Sequence, residues 1–389
     1  MSLLFDSLFS SVALGHLMVD VLNGQRAVLL AYLSGPLGLS NAVLGLVSTL
    51  YVFSGALTQP LFGHLTDRIG SRWVVAGGVL WISLFFTLAV MVSGHLALAL
   101  LVVASLGSGA FHPAGTMQAT LRGRDHLAGR ETTAAAYFFV FGQLGLFFGP
   151  MLGGPLLEHY GPGGLIVLSV FGLPVGLNAA VHLRSTVIAE STELPAASSA
   201  AAQANPMFGE SLYTFGAFGL MAAFQSWSQQ TMVTFLPKYL SDLGQSPGAY
   251  GLLAAIFMGG SALGNVLGGN LADRFGKRRV AMLALALASV PLYLIGDVGW
   301  SLWLYLLIPV AGALTGATHS IIVVLAQRFL PNRMAFASGL ILGFLFTSGA
   351  LGTLLTGYLA DLWGFPAVFH LNAAIALTAA VLALSLQKT

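Results

Sequence analysis

Twelve apolar stretches follow one another along the chain, near 10–34, 41–63, 73–93, 96–120, 133–155, 164–183, 211–236, 248–270, 279–295, 301–327, 335–358 and 366–386. Coiled as a helix, about 20 apolar residues cross the hydrocarbon of a bilayer with every backbone group paired internally. Charge is too scarce for a soluble surface: 7% of the 389 residues are Asp, Glu, Lys or Arg and 57% are apolar, where a soluble domain carries about a quarter charged residues. The stretches are too long for barrel strands and do not alternate. The sequence specifies an all-α, polytopic membrane protein of twelve transmembrane helices. No basic region and cleavage site mark the first stretch as a signal peptide, so it is expected to be a true span. The spans hold many of the 48 glycines and 15 prolines, which lipid tolerates only where neighbouring helices or a cavity satisfy the freed backbone.

Thirteen of the fifteen Lys and Arg lie on the side of the N-terminus, and only Arg26 and Lys238 do not. That places both termini in the cytoplasm. The one long polar break, 184–210, is rich in Ala, Ser, Thr and Pro and cannot bury a core, so it reads as a cytoplasmic linker between halves 1–183 and 211–389. The other connections are too short to carry a soluble domain. No Gly-Lys-Ser/Thr phosphate loop is present, and the absence of cysteine removes disulfides and thiolate metal or redox sites. Nothing suggests nucleic acid as a partner. The expected partners are the bilayer and a small-molecule substrate, with no cofactor and no feature that demands more than a monomer.

The halves repeat internally. Gly63-His-Leu-Thr-Asp67-Arg68-Ile-Gly70-Ser-Arg72 is echoed by Gly269-Asn-Leu-Ala-Asp273-Arg274-Phe-Gly276, by 357–364, and more faintly by 154–161; all read Gly, x, Leu, x, acid, x, x, Gly. The first glycines stand at 63, 154, 269 and 357, so the strong copies are 206 apart and the weak ones 203 apart. Such offsets mark a duplicated half, itself split in two. Asp67 follows a span and so faces a negative helix end, where an acid is disfavoured. Arg68, Arg72 or the positive start of a neighbouring helix must compensate it; the alternative is a tight polar turn with topogenic arginines.

Two six-helix halves, this Gly-x-Leu-x-Asp-Arg-x-Gly element after spans two and eight, and a central linker together resemble the major facilitator superfamily. The resemblance covers the whole chain and implies two pseudo-symmetric bundles of 3+3 inverted repeats, with the element at Gly63–Arg72 helping to close the cytoplasmic side. Span five contains Gly145-Leu-Phe-Phe-Gly149-Pro150-Met-Leu-Gly153-Gly154, which resembles an element of the family's proton-driven antiporters. Glycines at that spacing let helices approach closely and Pro150 bends its helix. Generic small-residue packing is the other reading. In span eleven the place of Gly149-Pro150 is taken by Gly352 and Thr353.

Asp20 is the acid nearest the middle of a span, about 15 Å in at ~1.5 Å per residue. A charge there is costly unless it faces a cavity or a partner. His16 and Asn23, four residues before and three after, share its helical face. Asp20 is therefore the leading proton carrier, against the reading of a permanently paired structural acid. Arg26 points to another face, and either snorkels outward or holds an anionic substrate. His112 in Gly109-Ala-Phe-His112-Pro is matched 207 residues on by His319 in Gly316-Ala-Thr-His319. Histidine titrates near neutral pH, which makes His112 a partner for Asp20; packing histidines are the alternative. Neither they nor any other residues show a recognisable metal-ligand spacing, and no metal is expected.

His16-Leu-x-x-Asp20, Phe111-His112-Pro113 and Gln327–Leu340 together resemble the fosmidomycin-resistance branch of the superfamily, which implies drug efflux in exchange for protons. One departure is His112, where many drug antiporters place an arginine. In span seven, Gln225, Trp227, Gln229 and Gln230 offer hydrogen bonds and an aromatic face, with Trp227 at the counterpart of Asp20. An apolar cavity with a few convergent polar groups suits an amphipathic organic substrate, and Tyr137 and Gln143 of span five are expected to join it. The whole reads as a proton-coupled exporter working by alternating access. Import and lipid movement are the alternatives within transport. No cluster of nucleophile, base and metal ligands supports an enzyme, and no added domain supports a sensor.

Overall fold

The computed structural model describes residues 3–126, 131–183, 212–329 and 334–386. The linker at 184–210 and the central part of Gln327–Leu340 lie outside the described residues. Within them the chain is helical: α1 (Ser7–Leu37), α2 (Asn41–Ile69), α3 (Ser71–Met91), α4 (His95–His126), α5 (Glu131–Tyr160), α6 (Ile166–Val170), α7 (Gly172–His182), α8 (Leu212–Asp242), α9 (Pro247–Phe275), α10 (Lys277–Asp297), α11 (Leu304–Gly316), α12 (His319–Phe329) and α13 (Met334–Ala383). Span six is divided between α6 and α7 and span ten between α11 and α12. Spans eleven and twelve run together as α13, with Gly364 the non-helical residue between them.

Nine helical segments among the described residues are long and apolar enough to cross a bilayer. One of them, Leu340–Ala383, contains two spans, while α1 and α8 are not among the nine. These two are the first spans of each half, and they carry the polar residues that matter below. His16, Asp20, Asn23, Gln25 and Arg26 interrupt α1, and Gln225, Ser226, Ser228, Gln229 and Gln230 interrupt α8. Their hydropathy is lowered by these polar side chains, not by shortness: each is 31 residues long.

The described helices form two compact units. One comprises Met1–Leu39, Val47–Ile188 and Pro237–Ala255; the other comprises Ser40–Leu46, Ala189–Leu236 and Ile256–Thr389. In the first, α1 lies against α5, α4 and α7, and α3 against α4, around Phe9, Val19, Leu22, Phe86, Phe111 and Phe138. Asp6 caps α1 by accepting the Phe9 N–H at 2.9 Å and also receives two bonds from Arg122 at the end of α4, at 2.9 and 2.8 Å. In the second, Phe218, Met221, Leu285, Ile322 and Leu345 form the centre of an apolar core.

The four motif copies are helical almost throughout. α2 continues to Ile69 and α3 begins at Ser71, so what reads as a polar loop is a single residue, Gly70. The last glycine of every copy has positive φ: 83° at Gly70, 63° at Gly161, 91° at Gly276 and 77° at Gly364. Side chains rarely adopt that conformation, which accounts for glycine as the closing letter of the motif.

Candidate functional site

The polar face of α1 is buried in the first unit. His16 Nδ1 lies 2.8 Å from the carbonyl oxygen of Phe138 on α5, and His112 Nδ1 lies 2.8 Å from the carbonyl of Ser108, one turn earlier on α4. A carbonyl only accepts, so in both rings Nδ1 carries the hydrogen and donates it. The other nitrogens converge on one acid. His16 Nε2 is 3.2 Å from Asp20 Oδ2, and His112 Nε2 is 3.7 Å from Asp20 Oδ1. Asn23 Nδ2 donates to Asp20 Oδ1 at 2.8 Å and to Ser108 Oγ at 3.0 Å, and Tyr51 Oη donates to Asn23 Oδ1 at 2.6 Å.

This arrangement constrains the protons. With Nδ1–H committed in both rings, a neutral imidazole turns the lone pair of Nε2 toward a carboxylate, which is repulsive. The contacts become favourable only when a proton sits on Nε2 or on the carboxyl. The rings are held in place around that proton: His16 stacks on Phe138 with centroids 4.0 Å apart and meets His112 edge-on at 5.0 Å. Access is from one side, because the His16 side chain is 3% exposed and that of His112 is 24% exposed.

The packing of α5 makes room for the acid. A Cβ on Gly142 would overlap His16 Nε2 and lie 2.8 Å from Asp20 Oδ2; one on Gly145 would lie 2.5 Å from the Leu17 carbonyl and 2.8 Å from Asp20 Cβ. Gly149 and Gly153 continue the contact along Val21 and Gln25, and Gly24 lies against Pro150. The glycine element of span five therefore does bring helices together, and the helix it receives is the one that carries Asp20.

Arg26 does not snorkel outward. It is buried, with Cζ 4.8 Å from the centroid of the Tyr51 ring. Tyr137 is exposed and Gln143 half-buried on α5, and neither is drawn into the cluster among the described contacts. In the second unit, Gln225 Nε2 donates to Gln229 Oε1 and to the Thr315 carbonyl, both at 3.0 Å, Gln229 Nε2 donates to Ser261 Oγ at 2.9 Å, and Trp227 Nε1 donates to Thr356 Oγ1 at 2.8 Å. Three of the four polar residues singled out on span seven thus bind helix to helix. His319 is half-buried at the start of α12, where span ten breaks.

The strong and weak motif copies differ. Asp67 and Arg68 are exposed, and Arg72 leaves Asp67 to lie over the Trp73 ring, 4.8 Å from its centroid. Asp273 is 3.6 Å from Lys277, while Arg274 is exposed. The acids of the weak copies instead occupy helix starts. Within the first unit Glu158 Oε2 accepts from the Gly248 N–H at 2.9 Å and from Ser246 Oγ at 2.8 Å. Within the second, Asp361 accepts from the N–H groups of Asn41 and Ala42, both at 2.8 Å. A carboxylate is favoured there by the exposed N–H groups and the helix dipole.

Asp20, His16 and His112 are also the group of described residues whose ligand atoms, all within 4.8 Å of one another, come nearest to a metal set. Tetrahedral ligands about 2.0–2.1 Å from an ion stand roughly 3.3 Å apart. The two histidine Nε2 atoms stand 3.2 and 3.7 Å from the Asp20 oxygens.

A Major Facilitator Superfamily model matches residues 12–243 and again 218–389. The chain belongs to the Major Facilitator Superfamily. It is 26% identical over 364 residues to the fosmidomycin resistance protein of Escherichia coli (strain K12), covering 91% of this chain and 86% of that one. It is 23% identical over 329 residues to the gentisate transporter of Corynebacterium glutamicum, covering 83% and 73%. The fold matches a bacterial homologue of the human lysosomal transporter Spinster, in an inward-facing and occupied conformation, with a TM-score of 0.82 at 14% identity over 97% of this chain and 95% of that one. The chain is thus a multi-pass membrane transporter of this superfamily and not an enzyme.

For this superfamily member, sequence reasoning missed Ser108, Tyr51, Phe138 and Gly142. Ser108 was within reach, since it stands one helical turn before His112. Tyr51 and Phe138 sit in apolar runs on other helices, and only tertiary packing brings them to α1.

Proposed function

We propose that the protein is a secondary active transporter that exports a small amphipathic organic compound in exchange for protons, by alternating access, with the proton handled by Asp20, His16 and His112. The observation that carries this reading is the pair of imidazoles whose Nδ1–H groups are committed to backbone carbonyls and whose Nε2 atoms face one carboxylate. Loading and unloading a proton switches those contacts between attraction and repulsion, which gives a buried device with two arrangements. The energy source is the proton gradient. The resistance named for the Escherichia coli relative supports the outward direction, and the excess of Lys and Arg on one side supports cytoplasmic termini in a bacterial inner membrane.

Proteoliposomes under an imposed pH gradient test it. Asp20→Asn keeps size and hydrogen bonding but cannot cycle a proton, so uphill movement falls to the level of protein-free liposomes while substrate counterflow continues. Gradient-driven accumulation by Asp20→Asn at the wild-type rate would sink the assignment. The gentisate transporter among the relatives supports a second reading, proton-coupled uptake; the direction of flux relative to the proton gradient separates the two.

A further inference from the structure

We infer that Arg26 is the docking group for an anionic substrate, so that the compound carried bears a carboxylate or phosphonate. The inference rests on the transport reading above and adds the substrate's charge to it. Arg26 is buried within the first unit, and its Nε has no hydrogen-bond partner. A buried cation without a counter-ion is costly, and a guanidinium stacked on an aromatic ring recovers only part of that cost. The Tyr51 ring alone therefore leaves the charge under-compensated.

No acid of the first unit whose side chain is described compensates it. Asp6 is engaged by Arg122, Asp20 by His16, His112 and Asn23, Glu158 by the start of α9, and Asp242 by Lys238. Asp67 is exposed at the far end of α2. The second unit has no copy of the feature, since the counterparts 207 residues on from Asp20 and Arg26 are Trp227 and Val233. What remains is a planar, fixed-charge donor fork with an unpartnered Nε–H, of the kind that recognises carboxylate and phosphate groups and the phosphonates that share their shape and charge.

Its position fits a separate subsite. Arg26 is six residues beyond Asp20, about 9 Å along the helix, too far to share the acid. The two are linked through Tyr51, whose ring underlies the guanidinium and whose hydroxyl bonds Asn23, which bonds Asp20. Asn23, one turn before Arg26, is half-buried.

The test is equilibrium binding to the full-length protein in detergent, with no gradient, using gentisate and fosmidomycin as anionic probes. Their uncharged counterparts are 2,5-dihydroxybenzamide and the fosmidomycin phosphonate diester. The expected result is that each anion binds more tightly than its uncharged counterpart, and that Arg26→Gln weakens the anions by about 10- to 100-fold, the loss of a charge-assisted contact, while leaving the uncharged pair unchanged. Arg26→Lys, which keeps the charge and guards against misfolding of the first variant, retains part of the preference. Equal binding of charged and uncharged forms, no binding of either anion, or an undiminished anion preference in Arg26→Gln would each overturn the inference. Those outcomes leave gradient-driven transport and its dependence on Asp20 to stand or fall separately.

Discussion

Substituting Gly145 by alanine tests whether α5 seats the acid of α1. A methyl group there meets the Leu17 carbonyl at 2.5 Å, Asp20 Cβ at 2.8 Å and the Val21 nitrogen at 2.9 Å, where ordinary contact begins near 3.4 Å. Two of these atoms are backbone, so no rotamer relieves the overlap and the helices must part by roughly 0.9 Å. The bond from His16 Nδ1 to the Phe138 carbonyl spans the same two helices at 2.8 Å, and an added 0.9 Å carries it past hydrogen-bonding distance. His16 then loses the group that fixes its tautomer. Overpacking of this kind costs about 1–3 kcal/mol. Thermal unfolding in detergent should therefore shift down, and gradient-driven transport should fall further than the loss of folded protein explains. Gly63→Ala is the internal control, since the atom nearest its Cβ is 4.0 Å away; its stability should stay within about 0.5 kcal/mol of wild type. Wild-type melting and transport in Gly145→Ala would refute the reasoning.

Gly70→Ala forces a side chain into φ 83° and should cost about 1–3 kcal/mol, which makes it more damaging than Gly63→Ala although both residues belong to one motif. Comparative thermal melts decide it, and equal melts would mean that the backbone relaxes freely at Gly70. Asp361→Asn removes the charge that faces the N–H groups of Asn41 and Ala42 and should loosen the start of α2. With no native cysteine to interfere, a single cysteine at Val43 should react faster with a maleimide in that variant, and an unchanged rate would show that the cap does not hold the helix start.

The sequence carried the architecture because each span must satisfy its own backbone, so length and apolarity suffice to locate it. It carried His16, Asp20 and Asn23 as a unit because all three lie on one helix at three- and four-residue spacing. His112 was legible through its echo at His319, yet that echo misleads about role: His112 faces an acid and His319 begins a helix after a break in span ten. Tyr51 and Phe138 were hidden because a lone aromatic in an apolar run carries no periodic signal. The orientation of Arg26 was open for a similar reason, since spacing along α1 says which face it occupies but not whether that face meets lipid or protein. The polar residues of α8 mislead in the opposite sense. Their count suggests a binding surface, but Gln225, Gln229 and Trp227 donate to neighbouring helices, the usual fate of amides in an apolar bundle.

The glycine element of span five and the acid of span one read as two independent motifs, one of packing and one of charge. Geometry joins them. Asp20 Cβ stands where a side chain on residue 145 would be, and the ring nitrogen of His16 stands where one on residue 142 would be. A larger residue at either place would displace His16 or Asp20. The same contact excludes water and brings the Phe138 carbonyl onto His16, so close approach both buries the acid and orders the base beside it. Low dielectric raises the stakes of every contact in such a cluster. One added proton therefore has leverage on α1 that it would lack at the exposed Asp67. The conspicuous Gly63–Arg72 stretch supplies a tight turn at Gly70, while the place of Asp20 against α5 depends on glycines for the side chains they leave out.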